Sequence, residues 1–268
     1  MMIKNIHINC GVGDCMPYTT VVELLGKQGY KCKIFHQPLH NNGKKNGYGI
    51  HPLFKNNPHV VEFECRDNIG HVFPPTIGGN MIEDTCRQYD LPSNVFNRGF
   101  LYPKKTKISD KKCVGIHAGG SSFPEKNTFW AREGWVQLAN YFESIGWHVV
   151  LLPNGFHYDY EPKIKSKHNY YDVADLSDMI DLMSGLDLFI GNDSGPAHIA
   201  TALEIPSVVL WSIPRMIKMV AENNELLNAI VIYRRYSYIQ NTNISIYDEH
   251  NVGVLNVIID SIKERQLL

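Results

Sequence analysis

One short segment, beginning near residue 189, carries the side chains of this chain that are best suited to chemistry. An apolar stretch that predicts a buried strand ends there in a polar turn and a helix start: Asp193, Ser194, Gly195 and Pro196. Ser is a favoured N-cap residue, and Pro is tolerated in a first helical turn. Because the amides of a helix N-terminus attract anions, the turn predicts a phosphate site. A merely well-capped helix would give no role to Asp193 or to His198, although His198 is equally consistent with a hydrogen-bonded core histidine.

A second candidate for anion binding follows the predicted strand at 113–117. Its loop begins with the small residues 118–120 and continues with Ser121 and Ser122, so backbone N–H groups can approach an anion and the hydroxyls add donors. Lys126 follows, and an ammonium there would offset the charge that grows on a departing nucleotide. The Gly-Lys-Ser/Thr ending of a Walker loop is absent. An ordinary surface loop with a solvated lysine is the simpler alternative.

The first predicted strand runs into a glycine-rich turn that ends at Asp14. The dinucleotide fingerprint needs a third glycine, where Met16 stands, and an acid after the second strand, where Phe35, His36 and Gln37 stand. Both features are missing, so the turn does not predict an NAD site. Asp14 itself could cap the following helix or accept a proton, and its spacing alone favours capping.

These turns must be positioned by the strands and helices around them. Short apolar runs alternate with amphipathic helical patterns, which predicts parallel sheets covered on both faces. In such sheets ligands bind at the carboxyl ends of the strands, where all three turns lie. Residues 100–112 hold Pro103, five lysines and little apolar content, and therefore predict a linker between domains 1–105 and 106–268. The final helix belongs to the second domain in sequence, with the option of packing back on the first.

Composition excludes several classes of protein. The net charge of −1 gives no global field that attracts nucleic acid or anionic membrane. Six cysteines are scattered through the first 113 residues without a CxxC pair, and the histidines form no metal set, so we expect a reducing cytoplasmic location and no metal. No apolar run is long enough to span a bilayer, so membrane contact is expected to be peripheral at most. The lysines of 100–112 and Arg234 leave a nucleic-acid acceptor as a minor alternative.

Three motifs in order resemble glycosyltransferase family 9, the bacterial heptosyltransferase family. They are the Gly-Asp pair at 13–14, the strand, small-residue loop, lysine, tryptophan and helix of 116–145, and the Asp-Ser-Gly-x-x-His run of 193–198. The resemblance covers the first 35 residues and 114–211. It implies a GT-B fold, in which two Rossmann-like α/β domains face each other across a cleft. Here the N-terminal domain, on the acceptor side, is shortened.

The resemblance also implies roles for the matched residues. Asp14 would take the proton from the acceptor hydroxyl, and Lys126 would contact the donor diphosphate. The other matched positions would line the donor site: Ser121, Ser122, Leu176, Asp193, Ser194, Gly195, Pro196 and His198.

The reaction that the resemblance implies is sugar transfer from a nucleotide diphosphate sugar to a hydroxyl, inverting and without a metal or other cofactor. The acceptor would be a glycan, a lipid-linked saccharide or another hydroxyl-bearing molecule, and closure of the two halves about the linker would exclude water. Two alternatives keep the fold: a sugar-nucleotide epimerase or hydrolase, and a nucleotide-sugar-binding module without catalysis.

Overall fold

The computed structural model describes most of both halves of the chain. The described residues are 2–8, 11–36, 40–41, 44–45, 52–66, 80–94, 96, 98–118, 132–152, 169–170, 176–210, 244–246 and 254–268.

The N-terminal half is built on a small parallel sheet. Its elements are β1 (Met2–Ile8), α1 (Val12–Lys27), β2 (Tyr30–His36), β3 (His40–Asn41), β4 (Lys44–Lys45), a 3-10 turn (Pro52–Phe54), β5 (Val60–Cys65) and α2 (Met81–Gln88). Strands β1, β2 and β5 lie side by side in that order, and β3 and β4 form a separate antiparallel pair. Helix α2 starts with a capping box in which Asn80 and Glu83 each bond the other's backbone N–H.

The C-terminal half is built on a six-stranded parallel sheet. Its elements are β6 (Cys113–His117), α3 (Arg132–Ser144), β7 (His148–Leu151), β8 (Asn169–Tyr170), α4 (Leu176–Met183), β9 (Leu188–Asn192), α5 (Gly195–Ala202), β10 (Ser207–Leu210), β11 (Ile244–Ile246) and α6 (Val254–Glu264). The strand order is β11-β10-β9-β6-β7-β8. The predicted α/β alternation with parallel sheets is therefore confirmed.

Two local predictions need correction. Helix α1 begins at Val12, so Gly11 is its N-cap and Gly13 and Asp14 lie inside its first turn, not in a free glycine-rich turn. The short strands β8 and β11 were not predicted from the sequence, because two or three residues carry too little periodicity to be seen. The apolar residues at 230–233 also predict a strand, and this stretch lies outside the described residues.

One hydrophobic core joins the two halves. It includes Ile6 and Tyr18 of the N-terminal half together with Phe189 and Ile199 of the C-terminal half, and all four are essentially unexposed. A second core covers the other face of the large sheet, under α3 and α6.

The final helix packs within its own half. The buried residues Val254, Ile258 and Ile262 of α6 share the second core with Trp135 and Phe142 of α3. Among the described residues, the buried face of this helix therefore packs against α3 and the large sheet, and packing on the N-terminal domain stays a prediction.

The predicted linker is bonded to both halves along its length. The Tyr102 hydroxyl donates to Glu23 Oε2 of α1 at 2.5 Å. On the other side, the backbone N–H of Lys104 donates to Asp181 Oδ1 of α4 at 2.8 Å, and that of Thr106 donates to Ser184 Oγ at 3.3 Å. Within the described residues, no helix is both long and apolar enough to cross a membrane.

Candidate active site

The strand order of the large sheet creates a crevice between β6 and β9. From β6 the chain runs outward to β7 and β8, whereas β9, β10 and β11 lie on the other side of β6. The helices that follow β6 and β9 cover opposite faces, since α3 contributes Trp135 to one core and α5 contributes Ala197 to the other. In open α/β sheets, ligands bind at this kind of topological switch point, outside the carboxyl ends of the two strands.

A hydrogen bond spans the mouth of this crevice. Ser194, just after β9, lies with its Oγ 3.3 Å from Nδ1 of His117, the last residue of β6. The same hydroxyl donates to the Asn192 carbonyl at 3.0 Å, and while it does so it can accept a hydrogen bond from the Nδ1 tautomer of His117 that carries the proton there. His117 is buried, with 2% of its surface exposed.

This bonding corrects the sequence-based role of Ser194. Ser194 does occupy the N-cap position of α5, with extended backbone angles, but its side chain makes no capping hydrogen bond. Because the hydroxyl is bonded to Asn192 and His117, the helix start is not covered by its own N-cap side chain. Pro196 occupies the first turn and is buried, as expected for a residue that has no N–H to satisfy.

Asn192 is a second polar residue of the crevice that the sequence analysis did not single out. It ends β9, pairs in register with Leu210, and lies on the same sheet face as Ile190. Its side chain is completely buried, and neither amide atom has a hydrogen-bond partner in the described part of the chain. Buried amides without partners are rare in folded proteins, which makes Asn192 a candidate residue of the crevice.

The acid predicted to act as a base lies on the first helical turn of the other half. Asp14 is the third residue of α1 and is half-buried. A carboxylate there is favoured by the positive end of the helix dipole. Pro17 follows inside the same helix and has no N–H for the Gly13 carbonyl, so the first turn of α1 lacks one of its own hydrogen bonds.

The first turns of α1 and α5 touch each other. A Cβ built on Gly13 would lie 2.7 Å from His198 Nε2 and 2.8 Å from its Cδ2, distances that no real side chain maintains. A Cβ on Gly195 would lie 3.3 Å from Cβ and Cγ1 of Val12. The absence of a side chain at each glycine therefore lets the helix that carries Asp14 approach the turn that carries Asp193 and Ser194.

The remaining predicted residues are distributed as follows. Asp193 is half-buried and is fixed by its backbone N–H, which donates to the Leu210 carbonyl at 3.1 Å. Leu176 begins α4, is half-buried and packs against the core shared by the two halves. The predictions for Ser121, Ser122 and Lys126 fall outside the described residues.

The structure thus brings Asp14 and the 193–198 segment together, and it adds His117 and Asn192 to the site. The signal for the two added residues was present but weak, since His117 ends the strand predicted at 113–117 and Asn192 only follows the apolar stretch near 189. What the sequence does not contain is the adjacency of β6 and β9, which alone puts the two strand ends at one crevice.

The chain also matches a known family over this region. A family model described as glycosyltransferase family 9 (heptosyltransferase) matches residues 88–238, which is more than half of the chain. The match runs from the end of α2 through the crevice and beyond β10. No curated protein matches the chain at a significant level.

Three solved structures are similar over nearly the whole chain. ADP-heptose LPS heptosyltransferase II of E. coli has 15% identity and a TM-score of 0.67, with 99% of this chain and 100% of that chain covered. A family 9 glycosyltransferase of Veillonella parvula has 12% identity and a TM-score of 0.66, with 97% and 91% covered. The E. coli heptosyltransferase WaaC with ADP has 11% identity and a TM-score of 0.66, with 99% and 98% covered. The predicted GT-B fold with two Rossmann-like domains is confirmed.

Proposed function

Because the chain belongs to glycosyltransferase family 9, we propose that it transfers a sugar from a nucleoside diphosphate sugar to an acceptor hydroxyl, with inversion and without a metal ion. The observation that carries the proposal is the contact between the first turn of α1, which bears Asp14, and the Asp193–His198 turn at the crevice. An acid on one half and an anion-binding helix start on the other are thereby neighbours, which a transfer reaction between two substrates requires.

The proposed donor site is the crevice between β6 and β9. The start of α5 has no side-chain cap, so its amides and helix dipole are suited to a diphosphate. As the sugar leaves, negative charge grows on that diphosphate, and amides already aimed at it stabilise the transition state without a metal. Lys126, Ser121 and Ser122 are proposed to contribute to the same anion site. Leu176 is proposed to pack against the heterocyclic base of the donor nucleotide.

The proposed reaction is a single displacement at the anomeric carbon. The Asp14 carboxylate takes the proton of the acceptor hydroxyl, and the acceptor oxygen forms the new bond to the anomeric carbon. The bond from that carbon to the β-phosphate oxygen breaks, and the nucleoside diphosphate leaves with the electron pair. Attack opposite the leaving group inverts the anomeric centre.

The donor that we propose to test first is an ADP-sugar. Two of the similar structures are described with adenosine diphosphate groups, one as an ADP-heptose transferase and one bound to ADP. A saccharide with a free hydroxyl, such as a lipopolysaccharide core, is the matching acceptor class to test. The nucleoside diphosphates UDP, GDP and CDP serve as the comparison set.

Nucleotide binding is tested by thermal unfolding with each nucleoside diphosphate. A real donor site predicts stabilisation of about 2.7 kcal/mol at 100 times the dissociation constant. No response to any of the four nucleotides would overturn the proposed donor site. EDTA is expected to leave binding and transfer unchanged, and NMR of the product is expected to show the inverted anomeric configuration.

The base is tested by Asp14→Asn, which keeps the shape of the side chain and removes its basicity. We expect transfer to fall by about 10²–10⁴-fold, the usual contribution of a general base, while ADP affinity stays close to that of the wild type. The comparison variant is Asp178→Asn, which changes an exposed acid of α4 and should leave both quantities unchanged. Wild-type transfer by Asp14→Asn would exclude Asp14 as the base.

A further inference from the structure

Gly13 of the N-terminal half packs closely against His198 of the C-terminal half. His198 is 4% exposed, and three atoms of its imidazole lie within 3.2 Å of where a Gly13 Cβ would be. The imidazole therefore fills the space that a side chain at position 13 would occupy. A histidine packed in this way cannot at the same time present that part of its ring to a ligand.

The first turn of α1 depends on this support. Pro17 cannot donate to the Gly13 carbonyl, and the Gly11 N-cap has no side chain with which to cap the helix. The Cys15 N–H donates to the Gly11 carbonyl at 2.9 Å, which closes the start of the helix. Because this turn lacks a capping side chain and the bond that a residue other than proline would donate to Gly13, its position also depends on packing, with His198 against Gly13 and Gly195 against Val12.

We propose that His198 is a positioning residue, whose imidazole carries the first turn of α1 at Gly13 and thereby sets the distance between Asp14 and the donor. The inference rests on the proposed role of Asp14 as the base. It replaces the sequence-based assignment of His198 to donor binding. Asp14 follows Gly13 directly, so a displacement of the backbone at Gly13 is transmitted to Asp14 within one residue.

A second contact between a glycine of α1 and a histidine serves as a comparison. Gly26, in the last turn of α1, packs on His59 in the same manner, with a built Cβ only 2.1 Å from the His59 Cγ. Both residues of this pair belong to the N-terminal half, and Gly26 lies at the opposite end of α1 from Asp14. Gly26→Ala therefore introduces the same kind of clash into α1 without touching the contact between the halves.

The first experiment needs no substrate. Urea unfolding is measured for the wild type, Gly13→Ala, His198→Ala and the double variant. We expect Gly13→Ala to lower the midpoint, and the double variant to be more stable than the sum of the two single changes predicts, because removing the imidazole makes room for the methyl group. Additive effects would overturn the contact on which the proposal is built.

The second experiment measures kcat in the transfer assay and ADP affinity on the same proteins. A misplacement of about 1 Å can cost 10²-fold in rate, so Gly13→Ala is expected to lose about that factor in kcat with ADP affinity retained. The double variant is expected to recover most of the loss. Gly26→Ala is expected to lower the unfolding midpoint while keeping the wild-type kcat below that midpoint.

Two results would overturn the positioning role. One is a loss of ADP affinity in His198→Ala with kcat retained, which would make His198 a donor contact. The other is a loss of kcat in Gly26→Ala as large as in Gly13→Ala, which would make both effects a consequence of general destabilisation. If the wild type neither binds nucleotides nor transfers sugar, the proposed function fails, and the unfolding cycle still tests the contact.

Discussion

At the scale of single residues, two buried asparagines are in opposite situations. Asn80 accepts hydrogen bonds from the backbone N–H groups of Ile82 and Glu83 at 3.0 Å each, so its side chain is satisfied by the helix that it caps. Asn192 is buried more deeply than Asn80, and neither of its amide atoms has a partner among the described residues. A buried amide without partners costs about 1–3 kcal/mol of folding free energy.

We therefore expect Asn192→Leu, which keeps a similar side-chain size, to leave the free energy of unfolding unchanged or to raise it by about 1 kcal/mol. Asn80→Leu removes the side chain that caps α2 and is expected to lower the free energy of unfolding by about 1 kcal/mol. Urea unfolding of both variants without ligand measures the difference. If Asn192→Leu were as destabilising as Asn80→Leu, the Asn192 amide would make hydrogen bonds that stabilise the fold, and the prediction would be wrong.

Site residues that are adjacent in the chain are easier to predict from the sequence than site residues that strand pairing brings together. Asp193, Ser194, Gly195 and Pro196 are adjacent in the chain, and their order follows from local rules of helix starts. Asn192 and His117 are 75 positions apart, and each by itself is indistinguishable from an ordinary polar residue at a strand end. Only the pairing of β6 with β9 makes them neighbours, and pairing between distant strands is not a local property.

At the scale of elements, α1 is fastened to the linker by a buried acid. Glu23 is 7% exposed, accepts the Tyr102 hydroxyl at 2.5 Å and lies 3.3 Å from Lys27 Nζ. Burial, and then the neighbouring Glu23 carboxylate, raises the pKa of Tyr102. The folded state therefore favours the neutral phenol, which can donate, over the phenolate, which would face a like charge.

The raised pKa of Tyr102 makes the free energy of unfolding depend on pH. A group whose pKa is raised on folding contributes stability below its unfolded pKa, which is about 10 for tyrosine, and this contribution is lost as the pH rises above that value. We expect the wild type to exceed Tyr102→Phe in unfolding free energy by on the order of 1 kcal/mol at neutral pH, with the difference shrinking above about pH 10.

Urea unfolding of the two proteins between neutral and alkaline pH measures that difference. Tyr141→Phe is the comparison, since Tyr141 is a half-buried tyrosine of α3 that packs on Phe142, away from Glu23 and the linker. A Tyr102→Phe protein that matches the wild type at every pH would show that the bond to Glu23 contributes nothing to the fold.

Most of the elements were predictable because their apolar residues recur with the period of a helix or strand. The sequence pattern predicts strands at 60–65 and 113–117, which β5 and β6 match. It also predicts helices at 133–145 and 254–265, which α3 and α6 match within one residue at each end. The start of α1 was not predictable, because Gly13 and Pro17 both weaken a helix interior. Contacts with α5 hold that turn in place, and such contacts override local propensity.

At the scale of the whole molecule, the shared core makes the two halves one folding unit. Ile6 and Phe189 belong to the same buried cluster although they lie in different halves, and Arg98 of the first half forms an ion pair with Glu204 of the second at 2.8 Å. The interface between the halves is part of this shared core, so separating the halves would expose apolar residues of both to water.

We therefore expect a single unfolding transition in urea for both halves. The tryptophans are all in the C-terminal half, at 130, 135, 147 and 211, so their fluorescence reports on that half. Cys32 and Cys86 of the N-terminal half are buried, and burial raises the pKa of these thiols to about 11 and about 12, so they react with a thiol reagent only after unfolding.

The fluorescence change and the labelling of Cys32 and Cys86, followed by mass spectrometry, should have the same midpoint. Gly26→Ala changes only the N-terminal half and should move both midpoints together by the same amount. Separate midpoints, or a shift confined to the thiols, would mean that the halves unfold independently.

The close approach of α1 to α5 also bears on the construction of chimeric transferases. An engineer who wished to change the acceptor would exchange the N-terminal half for that of another family member and would naturally join the chains within residues 100–112. Such a graft would put a foreign residue opposite His198 and another opposite Gly195. The exchange is expected to give an active hybrid only if the incoming half also has a glycine opposite His198, so compatibility between donor and acceptor modules can be screened at that one position.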